Sequence, residues 1–237
     1  MTRVVGIIPA RLASSRFPGK VLENIAGAAM IERVWSAAAG SGFDELWFCT
    51  PDDALVSFAN ARGWPTRKTR AYNRALDQVA EAATAIVGSE NDIVVNVQSD
   101  EPLVTAGELR AFVVDADRET GVRIVLMARP IDDAERHDPN AVKLVVANNR
   151  MLYSTRAPIG TGLRIAGMFA LTPAALREFT AMPESPLERL EACDVNRLLD
   201  AGVPVGVHVC QRAVPSVDVP ADIARVETYL KEQHVNN

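Results

Sequence analysis

Three cations and two hydroxyls stand within ten positions near the N-terminus, and few other stretches of the sequence offer as much chemistry. They are Arg11, Ser14, Ser15, Arg16 and Lys20, carried with Gly19 in the segment Ile7 to Lys20 (IIPARLASSRFPGK). Such a set converges naturally on phosphate oxygens: Arg presents a fork of donors, Lys a point charge, and backbone N–H groups of a tight turn add fixed dipoles. Pro18-Gly19 fixes the turn. The chemistry suits a nucleoside triphosphate, with Lys20 neutralising a departing pyrophosphate. The plain alternative is a solvated basic turn. It is not the P-loop, because the GxxxxGK[ST] spacing is missing.

A second cluster is acidic. Gln98, Ser99, Asp100, Glu101 and Pro102 follow directly on the apolar run Asp92 to Val97 (DIVVNV). Asp100 with Glu101 has the hard oxygen chemistry of a Mg²⁺ site, where a few carboxylates and substrate phosphates share the ion. A further acid must come from elsewhere, and Asp218 and Asp222 are the candidates. On spacing alone Asp218 reads as an N-cap of the closing helix. Arg156, before Ala157-Pro158, sits in a loop where it could clamp a carboxylate, whereas a lone charge such as Lys143 is ordinarily a solvated face. His137, His208 and His234 are scattered, which leaves no His metal cluster and no Ser/His/Asp triad, and His208 reads as a half-buried strand residue.

The elements that must position these residues alternate between apolar β-rich runs and helical stretches, the pattern of a sheet covered by helices. Strands are expected at Val4 to Ile8, Glu45 to Thr50, Asp92 to Val97, Val122 to Ala128, Ala141 to Val146 and Val203 to Cys210. Helices are expected at Ala29 to Ala39, Ala54 to Arg62, Leu76 to Ile86, Pro173 to Phe179, Pro186 to Leu199 and Pro220 to Gln233. In open α/β sheets ligands gather beyond the carboxyl ends of strands, so the basic loop and the acidic turn should face one crevice.

The 237 residues suit one domain over 1–237, and no repeat or low-complexity linker marks a boundary. With 48% hydrophobic residues, 23% charged residues and a net charge of -5, a nucleic-acid partner is not expected, since that binding needs clustered Lys and Arg. The opening MTRVVGIIPA is too short to span a membrane and lacks a cleavage pattern, so a cytoplasmic protein is expected. Cys49, Cys193 and Cys210 read as reduced, mostly buried thiols.

Taken together, IIPARLASSRFPGKVLENIAG, NVQSDEPLV, DPNAVKLVV, SPLERLE and SVDVPADIARVE resemble, in order and spacing, the motifs of the CMP-Kdo synthetases (3-deoxy-manno-octulosonate cytidylyltransferases), relatives of the CMP-sialic acid synthetases. The resemblance runs from about Val5 to about Tyr229. It implies an α/β fold of the nucleotide-diphospho-sugar transferase type: a mainly parallel, mixed and twisted sheet with helices on both faces and a small dimerisation lobe. It implies transfer of CMP from CTP to the anomeric hydroxyl of a 2-keto-3-deoxy sugar acid, with Mg²⁺ and release of pyrophosphate, in lipopolysaccharide or capsule precursor synthesis. Carried over by position, Arg11, Arg16 and Lys20 take the triphosphate beside Ser14, Ser15, Asp77 and Gln98. Asp100 and Asp218 take the metal, which replaces the cap reading of Asp218, and Arg156 matches the family's SRAP arginine and takes the acceptor carboxylate.

Several positions depart from the family. The SGTDR-type arm reads Arg74, Ala75, Leu76, Asp77, Gln78, so only Asp77 persists, and Ser99 stands where the family has Gly. The HxGxYxY pattern becomes Ile165, Ala166, Gly167, Met168, Phe169, Ala170, Leu171, and EQLR becomes Asp194, Val195, Asn196, Arg197. The insert between Pro158 and Gly167 is shortened to eight residues, which reduces the lobe and leaves homodimerisation open. Two other readings therefore stand beside the first. One is a CTP-dependent enzyme for another small acid, such as a different keto-sugar or a phosphonate; the other is a catalytically silent nucleotide-binding homologue.

Overall fold

The computed structural model describes residues 2–118 and 122–235, the side chains of Arg118, His234 and Val235 excepted. The first apolar run forms β1 (Val4–Pro9), buried from Val5 onward. A hairpin of two short strands, β2 (Asn24–Ile25) and β3 (Ala28–Ala29), leads into α1 (Met30–Ala39), whose helical spacing buries Met30, Ile31, Val34 and Ala38. Next come β4 (Glu45–Thr50), α2 (Asp53–Asn60), β5 (Thr66–Lys68) and α3 (Ala75–Ala83). β6 (Ile93–Asn96) is buried at every position, as a strand covered on both faces must be. α4 (Ala106–Arg118), β7 (Ile124–Pro130), α5 (Asp133–His137), β8 (Lys143–Ala147), β9 (Arg150–Thr155) and β10 (Leu163–Leu171) follow. The order closes with α6 (Pro173–Ala181), α7 (Pro186–Glu191), α8 (Asn196–Asp200), β11 (Gly206–Val209) and α9 (Ala221–Val235).

One expectation is extended and one corrected. The strand expected at Ala141 to Val146 is present as β8 and gains an antiparallel partner, β9, because Asn148 and Asn149 take positive φ (49° and 55°) and turn the chain back. The helix expected over Pro186 to Leu199 is two: α7 stops where Ala192 enters the left-handed region (φ 48°, ψ 43°). The strands β5, β9 and β10 and the helices α4 and α5 were not anticipated.

The chain divides into two compact units. The first, here the loop unit, comprises Val5–Ala85, Asn96–Arg110 and Val214–Asn237. Its strands run β5-β4-β1, all parallel, with Val5 beside Glu45 and Phe48 beside Thr66. Parallel pairing sends β1 and β4 out at the same edge, so the loops after Pro9 and Thr50 emerge as neighbours.

The second, here the hairpin unit, comprises Met1–Val4, Ile86–Val95 and Ala111–Ala213. Its strands run β6-β10-β7-β11-β9-β8, and β10 also pairs with β8. The register of β10 on β7 shifts between Ile165 and Phe169, where Gly167 takes φ 71°, a conformation that glycine adopts without strain. β10 thus has three neighbours, β6, β7 and β8, and the hairpin unit is mixed: β11 lies parallel to β7, whereas β10 is antiparallel to it. His208 is half-buried on β11, its Nδ1 2.7 Å from Asp115. The three cysteines are free and buried, and burial pushes the Cys193 thiol up to about 11.

Candidate nucleotide site

The basic loop is closed on itself before any ligand is considered. Ala10 donates from its backbone to Cys49 O (3.0 Å), which ties the end of β1 to that of β4, while Ser14 N and Gly19 N both reach Leu12 O (2.9 and 2.8 Å). Gly19 holds φ 75°, the left-handed conformation that starts the 3₁₀ turn Lys20–Leu22. Leu12 N donates to Asp52 Oδ2 (2.8 Å), and Asp52 N to Thr50 Oγ1 (3.1 Å). Asp52 thus anchors the loop from the end of β4.

Four charged side chains meet at this loop. Lys20 is 8% exposed, and its Nζ donates to Asp100 Oδ2 (2.7 Å) and Val217 O (2.9 Å), with Asp218 Oδ1 3.9 Å away. Arg16 Nη2 donates to Asp218 Oδ1 (2.6 Å). Backbone fixes the acids as well, since Val217 N donates to Asp100 O (3.1 Å). Two cations therefore share two carboxylates, one supplied after β6 and one 202 residues along the chain from Arg16. Burial first, and then the Asp100 carboxylate, push the Asp218 carboxyl above its ordinary value, against the pull of Lys20 and Arg16.

The cap reading of Asp218 fails in this geometry. It is Asp222 whose Oδ2 accepts the amides of Asp218 (2.8 Å) and Val219 (2.9 Å) at the start of α9, which leaves Asp218 facing Arg16 and Lys20. Glu101, the other half of the expected acidic pair, is buried at 3% exposure, while Asp100 pairs with Lys20.

The remaining expected residues are placed differently. The guanidinium of Arg11 donates to the carbonyls of Tyr72 and Asn73, linking the loop to the segment before α3. Ser14 and Gln98 are half-buried and Ser15 is exposed. Asp77 is held bidentately by Arg74 (2.7 and 3.0 Å). Gln78 is buried, its Nε2 donating to Cys49 O (2.8 Å) and Ala10 O (3.3 Å). Asp52 and Gln78 are the positioning groups that the sequence reading missed. An acid just past a strand's carboxyl end was the available signal for Asp52; Gln78 offered none.

Arg156 belongs to the hairpin unit, just past β9. Its Nη1 donates to Pro139 O (2.9 Å) and Asn140 O (3.2 Å), and its Nη2 to Ala192 O (3.1 Å). Lys143 is fully buried, donates to the carbonyls of Asp138 and Arg156, and is pushed down by that burial. It is not the solvated charge expected of it.

Parallel strands with a basic, anion-suited loop at their carboxyl edge and a pair of carboxylates opposite define a nucleotidyltransferase of the α/β type. The chain belongs to the cytidylyltransferase family, which matches residues 5–205. It is 34% identical over 255 residues to the 3-deoxy-manno-octulosonate cytidylyltransferase of Stenotrophomonas maltophilia (strain K279a), covering 98% of each chain. It is also similar to a solved CMP:2-keto-3-deoxy-manno-octonic acid synthetase complexed with CTP, with a TM-score of 0.87, 28% identity, and coverage of 98% of this chain and 100% of that one. A putative glucose-1-phosphate thymidylyltransferase from Bacillus anthracis shares the fold, with a TM-score of 0.74 at 16% identity over 97% of this chain and 96% of its own. Among the described residues, no helix is long and apolar enough to cross a membrane.

Proposed function

We propose that the chain transfers CMP from CTP to the anomeric hydroxyl of 3-deoxy-manno-octulosonate (Kdo) or a closely related 2-keto-3-deoxy sugar acid, releasing pyrophosphate. The observation that carries this reading is the cluster of Lys20, Arg16, Asp100 and Asp218 beside the closed loop. In the reaction the anomeric oxygen forms a bond to the α-phosphorus, the bond from that phosphorus to the bridging oxygen of the β-phosphate breaks, and the hydroxyl proton leaves to solvent or base. Positioning and charge stabilisation dominate such transfers. Lys20 and Arg16 exchange their carboxylate partners for phosphate oxygens and offset the charge that builds on the departing pyrophosphate. Ser14, Ser15 and Gln98 supply polar contacts around the same nucleotide.

The donor set also fits Mg²⁺. Among the described residues no three His, Cys, Asp or Glu side chains form a metal cage, and Mg²⁺ usually takes only one or two carboxylates together with substrate phosphates. Asp100 and Asp218 are such a pair, with Lys20 Nζ 2.7 Å from the one and 3.9 Å from the other. When bound there, the ion would screen the charge between triphosphate and attacking oxygen. Arg156 takes the acceptor's carboxylate in this reading.

A second reading keeps CTP and changes the acceptor. It is favoured by β10, where Ala166, Met168, Phe169 and Leu171 are buried apolar side chains in the stretch where the family pattern carries His and tyrosyl groups. Pyrophosphate release should be measured with each of the four nucleoside triphosphates, Mg²⁺, and a panel of sugar acids and phosphonates. Turnover with CTP and Kdo is expected. Turnover only with another acid would establish the second reading, and no release with any acid despite tight CTP binding would show a silent homologue.

A further inference from the structure

We propose that the corner Glu191–Ala192, at the end of α7, positions Arg156 so that one edge of its guanidinium is presented to the acceptor's carboxylate; this rests on the reading of Arg156 given above. The Glu191 carboxylate gathers three donors from the end of β9: Tyr153 Oη at 2.6 Å, Thr155 Oγ1 at 2.7 Å and the Arg156 backbone N at 3.1 Å. The next residue, Ala192, takes φ 48° and ψ 43°, and its carbonyl accepts from Arg156 Nη2 at 3.1 Å. Two consecutive residues thus hold the backbone and the guanidinium of the same arginine. A helix that only had to stop would use glycine in that conformation without strain, whereas a Cβ there is unfavourable and persists only where the surroundings enforce it.

Counting donors shows what this grip leaves over. Arg carries five N–H groups. Nη1 spends two on Pro139 O and Asn140 O, and Nη2 spends one on Ala192 O. The Nε–H and one Nη2–H remain, and these adjacent donors form a fork that a carboxylate takes bidentately. Glu191 touches no substrate in this arrangement. It is a positioning residue acting through Arg156, and its charge keeps the three donors of β9 together.

The test is steady-state kinetics with Kdo and CTP for Arg156→Ala, Glu191→Ala and Glu191→Gln, joined to amide hydrogen exchange over 153–157. Glu191→Ala is expected to raise KM for Kdo roughly tenfold, about the worth of one charge-assisted hydrogen bond, with KM for CTP unchanged. Glu191→Gln retains an acceptor oxygen for Thr155 and Arg156 and should recover most of that loss, and it serves as the readout if the alanine variant does not fold. The Arg156 amide should exchange faster in both variants than in the wild type. If Arg156→Ala raises KM for Kdo while both Glu191 variants leave it at the wild-type value, the positioning inference is overturned and the acceptor reading stands. If Arg156→Ala itself leaves KM for Kdo unchanged, the acceptor reading fails and this inference with it. Should the wild type not turn over Kdo, hydrogen exchange still decides: equal exchange at Arg156 in all Glu191 forms overturns the inference.

Discussion

Replacing Lys20 by Met should both unsettle the fold around the carboxylates and make it respond to Mg²⁺. Lys20 Nζ lies 2.7 Å from Asp100 Oδ2 and 3.9 Å from Asp218 Oδ1. At an effective dielectric of about 20, the nearer pair attracts by about 6 kcal/mol, most of which is offset by the desolvation of both ions. Removing one partner of a fully buried pair costs about 3–5 kcal/mol. The Asp100 side chain keeps 25% of its exposure, so water recovers part of the loss, and a net destabilisation of about 2 kcal/mol is expected. For a chain of this size that lowers Tm by roughly 4–8 °C. Met fills the aliphatic space of Lys, so the loss is electrostatic rather than a cavity. Melting should be followed by calorimetry in EDTA and then in Mg²⁺. With two carboxylates left facing each other, Mg²⁺ at ten times its dissociation constant should return about 1.4 kcal/mol to the variant, and less to the wild type, whose ammonium competes for the same oxygens. Turnover should fall by roughly 10²–10³. A variant as stable as the wild type in EDTA and indifferent to Mg²⁺ would refute the idea that these carboxylates need a resident cation.

Asp92 provides a pH test: burial pushes its carboxyl up, but Arg3 at 2.9 Å and the amides of Gly88 and Ser89 outweigh this and leave it below the ordinary 3.8. A folded value below the unfolded one means stability that is complete above the unfolded value and lost as pH falls through the folded one, so in acid urea titrations Asp92→Asn should flatten the decline of the midpoint; parallel declines would exclude the effect. Glu188→Ala should destabilise by about 3–5 kcal/mol in urea melts, because it leaves Arg197, 2% exposed, without its carboxylate; a loss under about 1 kcal/mol would show that the carbonyls of Met182 and Phe179 suffice. Asn149→Gly, at φ 55° in the β8–β9 turn, should stabilise by a few tenths to about 1 kcal/mol, seen as a higher Tm, and a lower Tm would contradict the turn geometry.

The loop unit was legible in the sequence and much of the hairpin unit was not, for a physical reason. Parallel strands toward the middle of a sheet are written as apolar runs, so β1 and β4 stand out up to Pro9 and Pro51. β10 reads LRIAGMFAL, and its bend at Gly167 interrupts the alternation by which a strand would be recognised. The start of α4 did carry a signal, since Thr105 and Glu108 form a reciprocal cap, with Thr105 N donating to Glu108 at 2.9 Å and Glu108 N to Thr105 at 3.3 Å. At the site, Arg16, Lys20 and Asp100 were legible as types at the ends of strands. Asp218 was legible only through the family resemblance: its spacing alone is that of a helix cap, and the fold shows Asp222 accepting the amides before α9 instead. Glu191 sits at an ordinary helix position, and its role depends on a strand 36 residues earlier.

The arm from Tyr72 to Gln78, which runs into α3 and departs from the family pattern at Arg74 to Gln78, is tied to neighbouring groups of the protein. Gln78 joins the ends of β1 and β4 through their carbonyls, and Asp77, the one arm residue retained, is neutralised by Arg74. Arg11 then reaches from the loop to the carbonyls of Tyr72 and Asn73. These contacts make loop and arm a single mechanical piece, because moving Arg11 toward a phosphate would release two backbone carbonyls of the arm, and holding it would commit the arm's position before any base arrives. Arg16 and Lys20, by contrast, have carboxylates, Asp218 and Asp100, among their partners.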